Sequence, residues 1–300
     1  MNLFEALKLI PTQSAEDAAI PASLFGAFRR KSISFFNGLT DEKTIVYWFQ
    51  SKTFTIDLRL KNQRDTPFTE RQGWIGETLW ETETELLSWQ VAKNGNFQNH
   101  IQWPEPAKLH TVGNCILEFS PNNTYVEDWR QQADSGIYLG LRIQSAQHFA
   151  TGKQIALDGG LIICGQYMAY AQSRLPELQN QLSEYSSLDE AVQLSADTTA
   201  AAKAIENFEV SISLANQKID YSTQSFKTGQ QMLLDDFEVL DAQTLSQQKM
   251  IHGEPYTVLF KVDTYAPHYE FQRSTSASSA CENWYAAEQN HLAFHAAAVK

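Results

Sequence analysis

Two predicted strands carry charged and aromatic side chains that alternate with apolar ones. In residues 53–60, Asp57 and Arg59 share one face, and the apolar side chains between them share the other. If the apolar face packs against another part of the protein, Asp57 and Arg59 line the interior and must pair, because an unpaired buried charge costs about 3–5 kcal/mol. Such a pair could orient a carboxylate or carbonyl group of a ligand. The alternative is a surface ion pair that contributes less than about 1 kcal/mol.

Residues 124–131 show a similar alternation. Tyr125, Glu127 and Trp129 share one face, and amphipathic rings beside a carboxylate are typical of a pocket wall. The alternative is that Trp129 belongs to a solid core and Glu127 lies at its rim. We interpret Glu77 in the same way as Glu127. The nearby Gly76 allows close approach of either a neighbouring backbone or a ligand.

Any catalysis would be acid–base chemistry without a cofactor. Desolvation beside indole rings raises the pKa of a carboxyl group, which suits it to proton transfer near neutral pH. The candidate carboxylates are Asp57, Glu77, Glu118 and Glu127, with Tyr125 or Tyr138 as a proton donor. No nucleophilic triad, phosphate-binding loop or dinucleotide fingerprint is present in the sequence. The predicted ligand-binding residues are Trp48, Asp57, Arg59, Trp74, Glu77, Tyr125, Glu127, Trp129, Tyr138 and Arg142.

Six of the seven tryptophans lie in the first half of the chain. They are Trp48, Trp74, Trp80, Trp89, Trp103 and Trp129. An indole is large and carries an N–H that needs a partner when it is buried, so such a cluster lines either a bulky core or a roomy apolar pocket.

Short strands must position these residues. Strand patterns dominate from about residue 32 to 171, and turn residues recur about every 8–12 residues, which is typical of antiparallel barrels and sandwiches. The pair Asn94-Gly95 predicts a hairpin between residues 86–91 and 97–103. Helical spacing then appears at about residues 174–206, and strand patterns resume to residue 273. Short helices are predicted at both ends of the chain.

Composition narrows the possible partners. A net charge of −12 argues against nucleic acid, because phosphate binding needs a basic surface. The basic run Arg29-Arg30-Lys31 is predicted to be a solvated loop before the first strand. Three widely spaced cysteines give neither a disulfide framework nor a metal site. The sequence also shows neither an apolar membrane span nor a signal peptide. Together these observations predict a cytoplasmic protein.

Several segments of the chain resemble a fungal protein family whose yeast member is named for interacting with a casein-kinase-type protein kinase. The matching segments are 32–38 (SISFFNG), 53–59 (TFTIDLR), 72–77 (QGWIGE), 114–130 (NCILEFSPNNTYVEDWR) and 161–170 (LIICGQYMAY). The resemblance implies two consecutive lipocalin-like (calycin) barrels packed together. It supplies no activity.

The sequence is therefore predicted to form an all-β protein with two lipocalin-like antiparallel β-barrels, a small helical insertion and helical termini. We expect an N-terminal extension at 1–31, a first barrel at 32–155, a second barrel at 156–273 with a helical insert at about 174–206, and a linker and helix at 274–300. A weak repeat supports duplication: Phe119 and Phe237 are each followed nineteen residues later by a tyrosine.

Three functions remain open. The first is binding of a small, largely apolar molecule in the Trp-rich lumen of the first barrel. The second is a cofactor-independent isomerase, cyclase or hydratase that uses lumen carboxylates. The third is a protein-interaction module with filled barrels, as the name of the fungal family suggests. Neither a metal nor a membrane partner is predicted; Glu288, His291 and His295 have ligand-like spacing, but we interpret them as part of a docked or solvated tail helix.

Overall fold

The computed structural model describes residues 1–15, 17–100, 106–292 and 294–297, and it is mostly β-structure. Within those ranges it contains two antiparallel sheets and five α-helices. No helix in these ranges is both long and apolar enough to cross a membrane. Trp103 lies outside the described residues, as does the end of the second predicted hairpin strand, residues 101–103.

The first sheet closes into an eight-stranded barrel. Its strands are β1 (Gly26–Phe35), β3 (Ile45–Gln50), β4 (Phe54–Leu60), β5 (Gln72–Glu81), β6 (Leu86–Gln90), β7 (Ala107–Val112), β8 (Cys115–Phe119) and β9 (Tyr125–Gln131). The two-residue strand β2 (Thr40–Asp41) pairs with the end of β1. Each barrel strand pairs with its neighbour, and β1 pairs with β9 to complete the ring, so the barrel has no free edge.

A β-bulge interrupts β1. Arg30 lies opposite Trp129 on β9, whereas Ser32 lies opposite Asp128, so Lys31 is an extra residue in the ladder. The extra residue shifts the alternation of the strand by one position. As a result Arg30 and Ile33, three residues apart, both line the barrel interior.

The second sheet has eight strands in its main path. They are β10 (Ser135–His148), β12 (Gly159–Cys164), β13 (Tyr167–Gln172), β14 (Glu209–Ala215), β15 (Lys218–Ser222), β16 (Phe237–Val239), β17 (Thr244–Ile251) and β18 (Glu254–Glu270), with the short β11 (Gln154–Ile155) paired to β10. Within residues 106–292, no ladder joins the edge strands β15 and β16. This sheet therefore differs from the first, which is closed.

Helices lie at both ends of the chain and within the second sheet. They are α1 (Leu3–Leu7), α2 (Pro176–Leu182), α3 (Leu188–Leu194), α4 (Thr198–Glu206) and α5 (Ser279–Leu292). Helix α1 places Leu3 and Leu7 in the apolar core of the second sheet, and Ile10 joins the same core. The tail helix α5 buries none of its residues.

A buried arginine holds the helical insert against the barrel. The guanidinium of Arg174 is 2 % exposed and lies between the rings of Phe97 and Phe208, 5.3 Å from each. It donates hydrogen bonds to the carbonyl oxygens of Phe97, Ala204 and Ile205 at 2.7–3.1 Å. Two of these carbonyls belong to the last turn of α4, so a fixed cation lies at the C-terminal end of that helix.

The two halves share one apolar core. Ile56 and Leu58 of β4 belong to the same buried cluster as Val210 and Ile212 of β14. Polar contacts reinforce this interface at the β3–β4 turn, where Asp263 of β18 accepts hydrogen bonds from the Ser51 and Thr53 hydroxyls and from the Thr53 amide at 2.6–3.0 Å. The outer face of β4 is thus covered by the second sheet, and its other face is turned to the barrel interior.

Two local predictions are wrong. Arg29-Arg30-Lys31 is not a loop before the first strand; it lies within β1, which begins at Gly26, and the Arg30 side chain is buried. Asn94-Gly95 does not form the predicted hairpin either. It belongs to a short 3₁₀ turn, and β6 pairs with β7 instead.

The position at which the chain changes sheet also differs from the expected division at residue 155. Residues 135–148 form β10, which already belongs to the second sheet. The division of the chain into four segments remains a prediction.

Candidate functional site

The interior of the first barrel contains a cavity of about 1300 Å³. It reaches from Trp48, which is 1 % exposed, to Lys61 at the surface, whose side chain is 78 % exposed. The mouth lies where β4 ends and where β3 and β9 begin. Asp189 of α3 also lines the cavity, so the helical insert contributes to its wall.

Four tryptophans form the apolar wall. Trp48 contacts Trp89 and Trp129 edge-to-face with ring centroids 5.6 Å apart in each case, and Trp74 lies 6.2 Å from Trp89. These separations are those of favourable aromatic pairs. The Trp48 indole donates its N–H to Gln50, whose side chain is fully buried. The rings are therefore held mainly by packing, with indole hydrogen bonds at Trp48 and Trp129, and space remains between them and the mouth.

Arg30 connects two acidic residues in the cavity wall. Its guanidinium donates to Glu127 at 2.7 Å and to Asp41 at 3.0 Å, and it is only 7 % exposed. Burial of a guanidinium is tolerable when each of its charges is matched by a carboxylate with good geometry. Arg30 thus neutralises Glu127 deep in the wall and ties β1 to β9 and β2.

Asp57 and Arg59 form a second ion pair in the same wall. Arg59 Nε lies 2.9 Å from Asp57 Oδ1; the carboxylate is buried and the arginine side chain is 33 % exposed. Burial raises the pKa of Asp57 above its ordinary value, and the neighbouring Arg59 opposes that rise. The pair is therefore a partly desolvated ion pair whose cationic end faces the solvent side of the cavity.

Within the described part of the chain, no ion pair includes Glu118. Its two carboxyl oxygens accept hydrogen bonds from the Trp129 indole at 2.9 Å and from the Tyr125 hydroxyl at 3.1 Å. Burial raises the pKa of Glu118 to about 8, and the adjacent Glu127 carboxylate adds to the rise. Burial thus favours the uncharged form of Glu118, which is held in a fixed position beside a tyrosine hydroxyl.

This arrangement is chemically suited to two tasks. The indole rings offer a flat apolar surface, and the charges of Arg30, Asp57, Arg59 and Glu127 are matched within the wall, so an occupant need not neutralise them. The second task is proton transfer. A carboxylic acid whose pKa lies near the working pH can both donate and accept a proton, and the raised pKa of Glu118 gives it this property in the cavity.

The structure brings together most of the predicted ligand-binding residues. Those that line the cavity are Trp48, Asp57, Arg59, Trp74, Tyr125, Glu127 and Trp129, together with the catalytic candidate Glu118. Whether they bind a ligand is a separate question, which belongs to the proposal below.

Three predicted residues do not line the cavity. Glu77 is on the exposed face of β5, because Gln72 and Trp74 of that strand face the cavity and alternation turns Glu77 to the other side. Tyr138 lies in the interface between the two halves and donates its hydroxyl to the Gln50 carbonyl at 3.1 Å. Arg142 lies on β10, in the second sheet, and pairs with Asp158 at 2.7 Å.

The neighbour of Gly76 is protein backbone. A side chain built on Gly76 would place its Cβ 2.5 Å from the Gln90 carbonyl oxygen on β6. The close approach of two strands therefore explains this glycine. Of the two alternatives considered from the sequence, a neighbouring backbone or a ligand, the structure shows the backbone.

Sequence reasoning missed Arg30, Trp89 and the two lysines at the mouth, Lys43 and Lys61. Trp89 was recognised as one of a cluster but not placed in the site. The apolar stretch Leu24–Phe28 just before Arg30 could have indicated that the first strand begins ahead of the basic run. In the structure this stretch is buried and β1 begins at Gly26. The two lysines carry no such signal, since an exposed lysine at a strand end is ordinary.

The described part of the chain contains no group of three His, Cys, Asp or Glu side chains placed to hold a metal ion. All three cysteines are free, with Cys115 and Cys164 buried and Cys281 exposed. Comparison of the chain with protein-family models, with curated proteins and with solved structures found no match.

Proposed function

We propose that the first barrel binds a small, largely apolar molecule in its lumen. The observation that carries this proposal is the cavity of about 1300 Å³ inside a closed barrel, with Trp48, Trp74, Trp89 and Trp129 in its wall. Ligand cavities commonly measure about 300–1,000 Å³, so this one has room for a molecule of cofactor or lipid size. A space of this size is not needed for packing, since protein interiors are close-packed.

The charges of the wall define the character of the ligand. Arg30 and Glu127, and likewise Asp57 and Arg59, neutralise each other, which favours a ligand with an uncharged, apolar body. The mouth carries charges of both signs, because Lys43, Lys61 and the exposed part of Arg59 lie there together with Glu70 and Asp189, and it suits a polar end group. The proposed ligand therefore enters with its apolar body toward the tryptophans and its polar end at the mouth.

The test is native mass spectrometry of the protein purified from its own host, followed by denaturing extraction of any bound compound. We expect a stoichiometric small molecule with an extended apolar part. Trp74→Ala should then weaken its affinity by about tenfold or more, which corresponds to about 1.4 kcal/mol. The matched control is Trp80→Ala, on the same strand but outside the cavity wall, which should leave the affinity unchanged.

An apo mass, with no change of tryptophan fluorescence across a panel of apolar compounds, would count against the binding proposal. Such a result would also favour a protein partner, the third function considered above. For that function the barrels were expected to be filled, and the open cavity of the first barrel does not meet that condition. A protein partner remains an untested alternative.

A second candidate function is supported by Glu118. A protonated carboxyl group held by Tyr125 and Trp129 within a water-accessible cavity suits a cofactor-independent isomerase, cyclase or hydratase. Glu118→Gln keeps the shape of the side chain but cannot exchange a proton. If the co-purifying compound is a substrate, this variant should bind it and abolish turnover. Unchanged turnover would remove Glu118 from any catalytic role.

Two lipocalin-like barrels and a cytoplasmic location remain part of the proposal. The second sheet supports the duplication because its main path has eight antiparallel strands, as many as the first barrel, and its first and last strands, β10 and β18, pair as β1 and β9 do. The three free cysteines are compatible with a reducing compartment. The relation to the fungal kinase-partner family is likewise a proposal.

A further inference from the structure

A second cluster of titratable side chains lies in the second sheet, away from the barrel lumen. Lys249 of β17 places its Nζ 2.6 Å from the hydroxyl of Tyr170 on β13 and 4.3 Å from the centre of that ring. Tyr170 in turn donates its hydroxyl to Gln172. Glu209 of β14 and Lys227 complete the cluster. None of these residues lines the cavity of the first barrel.

Lys249 has no carboxylate of its own. Glu209 lies 2.5 Å from Lys227 and also accepts from the Ser211 hydroxyl at 2.6 Å, and within residues 106–292 no ion pair includes Lys249. Burial lowers the pKa of Lys249 to about 8; Glu209 opposes this and Lys227 adds to it. At neutral pH, the uncharged fraction of Lys249 is therefore larger than that of an ordinary lysine.

Lys249 also lies beside open space. It lines three neighbouring cavities of about 440, 280 and 60 Å³, and Leu233 is the other residue that borders all three. The walls of the largest include the apolar residues Phe149, Leu233, Met250, Pro255 and Tyr256, together with Asp235 and Asp236. An amine at the junction of these cavities can be reached by a small molecule, and the apolar walls favour one with a hydrocarbon chain.

We infer that Lys249 is a nucleophilic amine that binds a small aldehyde with an apolar chain as an imine. The nitrogen lone pair attacks the carbonyl carbon, and the π electrons move to the oxygen, which takes a proton. The resulting carbinolamine loses its hydroxyl group as water when the C=N bond forms. The lysine nitrogen gives up both of its hydrogens, so one aldehyde and one amine yield one imine and one water.

The test uses the wild-type protein, hexanal as the aldehyde and sodium cyanoborohydride to reduce the imine to a stable secondary amine. Peptide mapping by mass spectrometry then gives the rate of modification at each lysine. We expect Lys249 to react about tenfold or more faster than the exposed Lys108 and Lys153, because a desolvated amine without a carboxylate partner is the better nucleophile. In urea, where the sheet is unfolded, this preference should disappear.

Two variants complete the test. Lys249→Arg should remove the preferred adduct and leave slow modification of the remaining lysines, whereas the matched control Lys153→Arg should leave the fast adduct in place. Circular dichroism establishes that each variant is folded, and the wild-type rates stand even if Lys249→Arg does not fold. Equal rates at Lys249 and the exposed lysines, or a preferred adduct at Lys227, would overturn the inference.

Discussion

Glu118 and Glu127 lie directly opposite each other on β8 and β9, and both side chains are buried in the wall of the barrel cavity. Two ionised carboxylates in such a cross-strand pair repel each other strongly. The structure resolves the repulsion unequally: Arg30 neutralises Glu127, whereas burial and the Glu127 carboxylate raise the pKa of Glu118. One carboxylate is thus part of an ion pair, and the uncharged form of the other is favoured.

The first prediction concerns the pH dependence of stability. The pKa of Glu118 is higher in the folded state, about 8, than its ordinary value of 4.5, so the folded protein binds this proton more tightly than the unfolded chain does. The stabilisation from Glu118 is therefore complete below about pH 4.5 and is lost as the pH rises through about 8. Relative to wild type, Glu118→Gln should gain about 1 kcal/mol or more between these pH values.

Urea unfolding of both proteins at several pH values measures this gain. The variant removes only the titrating proton, so the difference between the two free energies of unfolding isolates Glu118 from all other groups. A difference that stays constant from pH 5 to pH 8 would show that Glu118 is ionised in the folded protein.

The second prediction concerns Arg30. Replacing it with methionine keeps a side chain of similar length but leaves Glu127 buried without a cation, so we expect a loss of about 3–5 kcal/mol in the free energy of unfolding at pH 7. The matched control is Lys31→Met at the exposed position next to it, which should change stability by less than about 0.5 kcal/mol. Equal effects of the two variants would contradict the ion pair.

The third prediction concerns Arg174 and the helical insert. Arg174→Met leaves the carbonyls of Phe97, Ala204 and Ile205 without their donor in a buried site, where each unmade hydrogen bond costs about 1–3 kcal/mol. We expect α4 to open before the barrel does, which hydrogen exchange resolved by peptide would detect as faster exchange in residues 198–206. Arg64→Met, on the exposed surface, is the control. Unchanged exchange in α4 would refute the proposed link.

The fourth prediction concerns the interface between the two halves. Asp263→Ala removes the acceptor for Ser51 and for the amide and hydroxyl of Thr53, and we expect a loss of about 1–3 kcal/mol. Limited proteolysis should then cut the β3–β4 turn faster than in wild type. Asp134→Ala, at a carboxylate that is 88 % exposed, should change neither the stability nor the cleavage rate.

Local patterns in the sequence predicted part of this structure. Alternation along β4 separated Asp57 and Arg59, which line the cavity, from Ile56 and Leu58, which pack toward the second sheet. Helical spacing also predicted the insert between β13 and β14. Both the alternation along β4 and this helical spacing depend only on neighbours along the chain, so the sequence contains them.

The remaining features depend on contacts between distant residues. The pairing of β6 with β7 across residues 91–106 decided against the Asn94-Gly95 hairpin, although that pair favours a turn locally. Glu118 acquires its raised pKa from burial and from Glu127, which the strand register places opposite it. Neither alternation nor composition contains that register, so the sequence alone could nominate four carboxylates but not choose among them.

The bulge at Lys31 has a consequence for the mouth of the barrel. Beyond it, Ile33 and Phe35 face the cavity, and the serines at 32 and 34 do not. Loss of the single codon for Lys31 would remove the bulge and leave Ile33 and Phe35 facing inward, because Ser32 already lies opposite Asp128, the next residue of β9 after Trp129 in the ladder. A one-residue deletion at this position would thus straighten the strand without exchanging the residues at the entrance, so the length of this segment can vary by one residue while the apolar entrance is kept.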